Sequence, residues 1–249
     1  MVPIKSKSDI QKMREAGKIL AATFDVLFKH ARVGVSAEFL DKLAYEPITG
    51  YGAEASFLGY QGFKYSTCIS KNEEVVHGIP YADKLLLPGD ICTIDCGVYF
   101  QGFHADAARI FVMEDLAPNI QELVDVTTNS FFHAIPFLQP GNKLGQMSHA
   151  MQTYIESFDL TVVRDLYSHG IGRDLHEDPL IPNYGDPKSG IELREGMVFA
   201  IEPMVNLGSA EVLTLDDKWT IITVDRQWSA HYENTVLVTE NGPEILTIH

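Results

Sequence analysis

Leu86-Leu87-Pro88-Gly89-Asp90-Ile91-Cys92-Thr93-Ile94-Asp95 recurs 107 residues later as Leu193-Arg194-Glu195-Gly196-Met197-Val198-Phe199-Ala200-Ile201-Glu202. Leu, Gly, Ile and the closing acid keep their spacing, and the residues before the acid are apolar in both copies. A turn signal followed by a short apolar run reads as a buried strand. Each copy therefore predicts a strand with a carboxylate at its buried end. An ionised carboxylate there costs several kcal/mol unless a cation compensates it. The same offset joins Gly34 to Gly141, each after a helix-like segment, and His-Gly-Ile occurs twice, at 77–79 and 169–171. The chain reads as one domain, 1–249, of two similar halves, roughly 1–115 and 116–249, whose acids meet at a shared metal site.

Outward from that repeat, apolar residues at 10, 13, 19, 20, 24 and 27 predict a helix over 9–31, with Ser8 or Asp9 as its N-cap and Gly34 beyond its end. Phe39, Leu40, Leu43 and Ala44 share a face and predict a second helix over 36–49. The stretch 50–66 is rich in glycine and aromatics, a strand followed by a loop that presents rings. A strand over 68–76 should end at His77. The repeat strand, 91–96, should pair with a return strand through 98–105 that continues past Asp106 as 107–112. In the second half, helices are expected over 119–138, before Pro140-Gly141, and over 144–158. Strands follow from Val162, near 197–204, 220–224 and 234–239.

Composition narrows the functional classes. Hydrophobic residues at 45% and charged residues at 21% are ordinary for a globular chain. Nineteen Lys and Arg against thirty-four Asp and Glu leave a net charge of −15, which argues against a nucleic-acid surface, since that needs a basic face. The three cysteines, Cys68, Cys92 and Cys96, form no Cys-x-x-Cys pair, and so sparse and odd a count suits a reducing compartment. The N-terminus carries no apolar leader core, and no run of 18 apolar residues follows. A cytoplasmic protein without a membrane partner is expected.

The chemistry concentrates in Asp95, Asp106, His169, Glu202 and Glu233. Their flanks are apolar: Thr93-Ile94 before Asp95, Phe199-Ala200-Ile201 before Glu202, and Thr235-Val236-Leu237-Val238 after Glu233. Carboxylates gathered at buried strand ends repel one another without cations between them. Four acids and one imidazole suit two divalent ions, and so oxygen-rich a set favours Mn, Fe(II) or Co, with Zn as the alternative. Two such ions activate water for hydrolysis at neutral pH.

Five motifs then make the likeness specific. They are Asn72-Glu73-Glu74-Val75-Val76-His77-Gly78-Ile79-Pro80, Gly102-Phe103-His104-Ala105-Asp106, His169-Gly170-Ile171-Gly172-Arg173-Asp174-Leu175-His176-Glu177, Ile201-Glu202-Pro203-Met204-Val205 and Tyr232-Glu233-Asn234-Thr235. With these in order, the chain resembles the short, type I bacterial methionine aminopeptidases from about residue 5 to 247. The resemblance implies an α+β pita-bread fold, two pseudosymmetric α/β halves around a curved antiparallel sheet. It implies two divalent metals, with Asp95 as bidentate ligand of one, Asp106 and Glu233 bridging, and His169 and Glu202 on the other. Glu202 would also accept the proton of the attacking water. His77 and His176 would contact substrate and stabilise the tetrahedral intermediate. Phe57, Tyr60, Phe63, Cys68, Leu175 and Trp219 would wall the methionine pocket, where a polarizable thioether packs well on ring edges. The implied partners are N-termini of nascent polypeptides, with transient association with the ribosome.

Four positions depart from the family pattern: Leu166 for an aromatic, Ser168 for Gly, Leu175 for Phe, and Ala107 for Thr. None removes a ligand. Two rivals share or borrow the fold. A proline-directed peptidase, of prolidase or aminopeptidase P type, carries an N-terminal domain ahead of the catalytic one, whereas here the repeat begins almost at once. A non-catalytic binding module typically loses ligands, and all five are present. Type II methionine aminopeptidases insert helices between the last two acids, which here lie only 31 residues apart.

Overall fold

Ser6 begins the first helix in the computed structural model, which describes residues 2–248. Its hydroxyl accepts from the Asp9 amide while the Asp9 carboxylate accepts from the Ser6 amide, a reciprocal capping box. The helix α1, Lys7–His30, therefore starts ahead of the Ser8 or Asp9 cap expected from the sequence, because only Ser6 has an acid three residues on to close the box. Met13, Ala16, Leu20, Phe24 and Leu27 form its buried face. The second helix, α2, spans Ala37–Gly50, with the Ser36 hydroxyl accepting from the Phe39 amide.

A short β1, Glu54–Ala55, and a 3-10 turn at Tyr60–Gly62 lead into β2, Thr67–Lys71. The single strand expected over 68–76 is two: Asn72 turns the chain with a φ of 55°, and β3, Glu74–Val76, leaves in another sheet. The repeat strand is also longer than 91–96. It runs ten residues as β4, Ile91–Phe100, and returns as β5, Phe103–Val112, through a two-residue turn at Gln101-Gly102 with φ of 50° and 87°. Positive φ at both turn residues matches the right-handed twist of a hairpin. Gly97, just past the expected end of the strand, lies within it at a close approach: a Cβ there would lie 2.7 Å from Ser56 Cβ. Asp95 consequently sits mid-strand rather than at a strand end.

The second half repeats the order of helix, helix and strands. Helix α3, Pro118–Ala134, stops short of residue 138 because Pro136 has no amide to continue the ladder, and a 3-10 turn follows at Ile135–Phe137. Helix α4 is Leu144–Glu156. Then come β6, Thr161–Val162, and β7, Tyr167–Gly170, with β8, Glu177–Pro182. The strand expected over 197–204 breaks at Glu202-Pro203 into β9, Val198–Ile201, and β10, Met204–Asn206. The chain closes with β11, Val212–Thr214, β12, Ile221–Thr223, β13, Ser229–His231, β14, Asn234–Thr239, and β15, Gly242–Ile245.

Every strand pairing among the described residues is antiparallel. Two sheets matter most: β4 flanked by β1, β2 and β5, and the row β15-β14-β9-β7-β8. One apolar cluster lies between α1, α2 and the first sheet, and another between α3, α4 and the second. The sheets join where Ala108 and Glu233 exchange backbone hydrogen bonds of 3.3 and 3.1 Å. Beside them the Thr235 hydroxyl takes a proton from the Asp106 amide and gives its own to the Asp106 carbonyl, at 2.8 and 2.9 Å.

Buried Arg109 rivets this seam. Its guanidinium lies between the rings of Phe24 and Tyr232, 5.0 and 5.1 Å from their centroids. It donates to the carbonyls of Ala108, Glu233 and Thr247 and to Asn234 Oδ1.

Two glycines in helices test how tightly α1 is seated. A Cβ on Gly17 would fall 2.0 Å from the Leu246 carbonyl oxygen, whereas one on Gly50 meets nothing within 4 Å. Replacing glycine by alanine in a helix ordinarily gains up to about 1 kcal/mol. Gly50→Ala should therefore raise Tm by roughly 1–3 °C, while Gly17→Ala should lower it despite the same propensity gain. Thermal unfolding of both variants checks this, and equal shifts would contradict the packing described.

Candidate metal centre

The seam between the two sheets is where the acids gather. Asp95 stands on β4 opposite Ala108 of β5 and Cys68 of β2. Asp106, on β5, pairs with Gly97 two residues along β4 from Asp95, and its backbone is held by Thr235 as described. Glu233 enters β14 with its amide bonded to Ala108 and its carbonyl to Arg109 at 2.6 Å. His169 lies on β7, paired with Ala200 of β9, and Glu202 follows the end of that strand.

Each of these side chains is oriented through its neighbours. His169 Nδ1–H donates to the Gly170 carbonyl at 2.8 Å, which leaves Nε2 as the free lone pair, 3.6 Å from Glu202 Oε1. The Glu202 amide donates to the Ser168 hydroxyl at 2.9 Å, that hydroxyl donates to Asn183 Oδ1, and Asn183 Nδ2 returns to the Glu202 carbonyl. Ser168, one of the four departures, thus holds Glu202 from a fully buried position. Leu166 packs beside Val75, Val163 and Met204, and Ala107 lies in the first apolar cluster.

Asp106, His169 and Glu233 present one donor atom each within 4.8 Å of one another. Asp95 Oδ1, Asp106 Oδ1 and Glu233 Oε1 are buried without a hydrogen-bond partner among the described residues. Buried polar atoms are almost always satisfied, so three orphan carboxylate oxygens side by side call for cations. Burial pushes the Asp95, Glu202 and Glu233 carboxyls well above the usual range, and the neighbouring acids push the same way. Burial likewise raises Asp106 to about 7 and lowers His169 to about 3, so the imidazole is unprotonated at neutral pH, as a metal ligand would need to be. Hard oxygens with imidazole and no thiolate fit divalent cations rather than a sulfur-bound site. Cys68 is no exception: burial drives its thiol well up, so it stays protonated.

Above the acids lies a cleft of about 190 Å³. It is lined by Phe57, Tyr60, Phe63, Cys68, His77, Leu175, His176 and Trp219 together with Asp95, Asp106, His169, Glu202 and Glu233, the thirteen residues singled out in the sequence, and by Gln61. Phe63 meets Trp219 edge-on at 4.9 Å, closing one wall. His77 sits on left-handed backbone, φ 58°, a strained state that recurs at functional sites. Burial holds its imidazole at about 4. His176 lies at the cleft mouth with its ring 4.3 Å from that of His169.

Sequence reasoning missed His231. It is 1% exposed at the end of β13, with Nε2 3.3 Å from Glu202 Oε2 and 4.0 Å from Glu233 Oε2. That nitrogen is a fourth unpartnered atom of the nest, and Glu202, His231 and Glu233 form a second group of donors within 4.8 Å. The signal was the spacing His231-x-Glu233, since alternate residues of an extended segment share a face.

Metallopeptidase family M24 matches residues 11–240 of the chain. The methionine aminopeptidase of Clostridium acetobutylicum is 48% identical over 248 residues, covering 100% of this chain and 99% of the relative. That of Escherichia coli K12 is 40% identical, covering 99% and 94%. Among solved structures, methionine aminopeptidase from Thermotoga maritima superposes with a TM-score of 0.98 at 44% identity, each chain covered in full. Prolidase from Pyrococcus furiosus aligns with a TM-score of 0.79 at 23% identity over 99% of this chain and 65% of its own. That second likeness is one of fold, the pita-bread arrangement.

Two measurements test the nest. Carboxyls raised by burial hold protons that an arriving cation must expel. Calorimetric titration of metal-free protein with Mn at neutral pH should therefore release protons, seen as heats that differ between buffers of unlike ionisation enthalpy. Identical heats would sink that expectation. His231→Leu should weaken Mn binding about 10–100-fold, as loss of an outer partner does, and an unchanged Kd would place His231 outside the centre.

Proposed function

The chain belongs to metallopeptidase family M24 and, within it, to the methionine aminopeptidases, and from that premise we propose that it releases N-terminal methionine from newly made polypeptides whose second residue is small. It acts in this reading as one catalytic unit in the cytoplasm, with nascent chains and, transiently, the ribosome as partners. The observation that carries the reading is the meeting of a closed aromatic pocket with a carboxylate nest in one cleft.

Asp95, Asp106, His169, Glu202 and Glu233 would hold two divalent cations, Mn, Fe(II) or Co. Such cations supply Lewis acidity and a water made acidic enough to attack at neutral pH. Glu202, freed of its proton once the cations are bound, takes the proton from the attacking water and returns it to the departing amine. His77 and His176 are neutral donors on the cleft wall and stabilise negative charge as it builds on the scissile carbonyl oxygen. Phe57, Tyr60, Phe63, Cys68, Leu175 and Trp219 seat the thioether, which holds the first peptide bond over the acids. A bulky second residue meets the cleft wall beside the nest.

Incubation of the Mn-loaded protein with Met-Ala-Ser, Met-Leu-Ser and Xaa-Pro peptides tests the assignment. Methionine should appear from the first, far more slowly from the second, and nothing from the last. Cleavage of Xaa-Pro with Met-Ala-Ser intact would transfer the chain to the proline-directed peptidases.

Ligands and donors separate by metal content. His169→Ala should lose both metal and rate, whereas His176→Ala should lose about 10²–10³ in turnover with its metal content retained. A His176→Ala protein binding one metal fewer would show that residue to be a ligand.

A further inference from the structure

The hydroxyl of Tyr60 lies 2.7 Å from His176 Nδ1, across 116 residues of sequence. The two rings are tilted at 44° with centroids 5.3 Å apart. We infer that Tyr60 is a positioning residue that sets the ring tautomer of His176, keeping its proton on Nε2 where it can be donated to the substrate carbonyl oxygen. The inference rests on the peptidase reading above and gives Tyr60 a task separate from walling the pocket.

A neutral imidazole carries one N–H, and the partner of one nitrogen decides which nitrogen bears it. Tyr60 makes no other side-chain hydrogen bond among the described residues, so its single hydroxyl proton is available to Nδ1. With Nδ1 accepting, Nε2 must be the protonated nitrogen. The opposite arrangement would donate from Nδ1 to the phenol and leave a bare Nε2 lone pair in a cleft lined by four carboxylates. That lone pair could accept but not donate, so it could not stabilise negative charge building on a carbonyl oxygen. The adjacent His169 ring has no proton to offer His176, since its Nδ1–H is committed to the Gly170 carbonyl.

The tyrosine is itself held by backbone. Its amide donates to the Phe57 carbonyl at 3.0 Å, and its carbonyl accepts from Phe63 at 2.9 Å. Gly59 and Gln61 on either side adopt φ of 87° and 49°. The turn thus presents the ring by its own shape, and the hydroxyl reaches His176 from across the cleft mouth.

Tyr60→Phe keeps the ring and removes only the hydroxyl. For Met-Ala-Ser, kcat should fall about 10–100-fold with KM and metal content nearly unchanged, because pocket and nest are intact. Tyr60→Leu, which also removes the wall, should raise KM as well. A readout free of turnover is nitrogen-15 NMR of the histidine rings in metal-free protein at a pH where His176 is neutral. Wild-type Nε2 should be pyrrole-like and Nδ1 pyridine-like, and Tyr60→Phe should give a mixture. An unaltered kcat in Tyr60→Phe, or a wild-type spectrum with the proton on Nδ1, overturns the inference. If the wild type releases no methionine, the peptidase reading fails, while the spectrum still decides the tautomer.

Discussion

Four carboxylates side by side in a mostly buried seam form the constraint on which the rest of this structure depends. Two like charges 4 Å apart repel by about 4 kcal/mol at the effective dielectric of a protein, and here Glu233 alone feels Asp106, Glu202 and Asp95. The fold meets this by fastening the acids from behind. Thr235 binds the backbone of Asp106, Ser168 and Asn183 bind that of Glu202, and Ala108 and Arg109 bind that of Glu233. None of these bonds consumes the carboxylate oxygens, which remain turned toward one another for cations to neutralise. Rigid backbones with unspent side chains are what a preorganised centre needs.

Much of this was legible in the chain itself. The 107-residue repeat marked both acid-bearing strands, and the apolar flanks of Asp95, Glu202 and Glu233 distinguished them from surface acids. Helix starts at Ser36 and Leu144 followed from local signals. What escaped was set by tertiary contact. The repeat strand was expected to end at residue 96, and the close approach of Ser56 that requires glycine at 97 has no local trace. The strand over 197–204 looked continuous because hydrophobicity does not register that Pro203 lacks an amide for the ladder. His231 was overlooked because a single histidine in an apolar strand most often only fills space, and its meeting with Glu202 depends on the pairing of β13 with β10.

Ser168 illustrates how a departure from a family pattern can be absorbed. A glycine there could not hold Glu202; the serine places a hydroxyl between Asn183 and the Glu202 amide and closes a ring of three hydrogen bonds. Arg109 does comparable work on the opposite side, with a guanidinium whose planar fork and two ring faces meet carbonyls and aromatics at once.

Arg109 also ties Glu233 to Thr247, and Thr247 Oγ1 in turn accepts from the Thr235 amide. The seam is thus closed by residues far apart along the chain, 138 positions in the case of Arg109 and Thr247. Contacts of such sequence separation form late, since loop closure must precede any reward from the contact. During synthesis the first half can collapse around α1 and α2 while Asp95 and Asp106 wait without their counterparts. A polypeptide halted short of residue 247 would lack the carbonyl that braces Arg109 and the hydroxyl that accepts from the Thr235 amide. The seam of an enzyme proposed to trim chains as they emerge is, by this architecture, completed only when its own translation has passed that point.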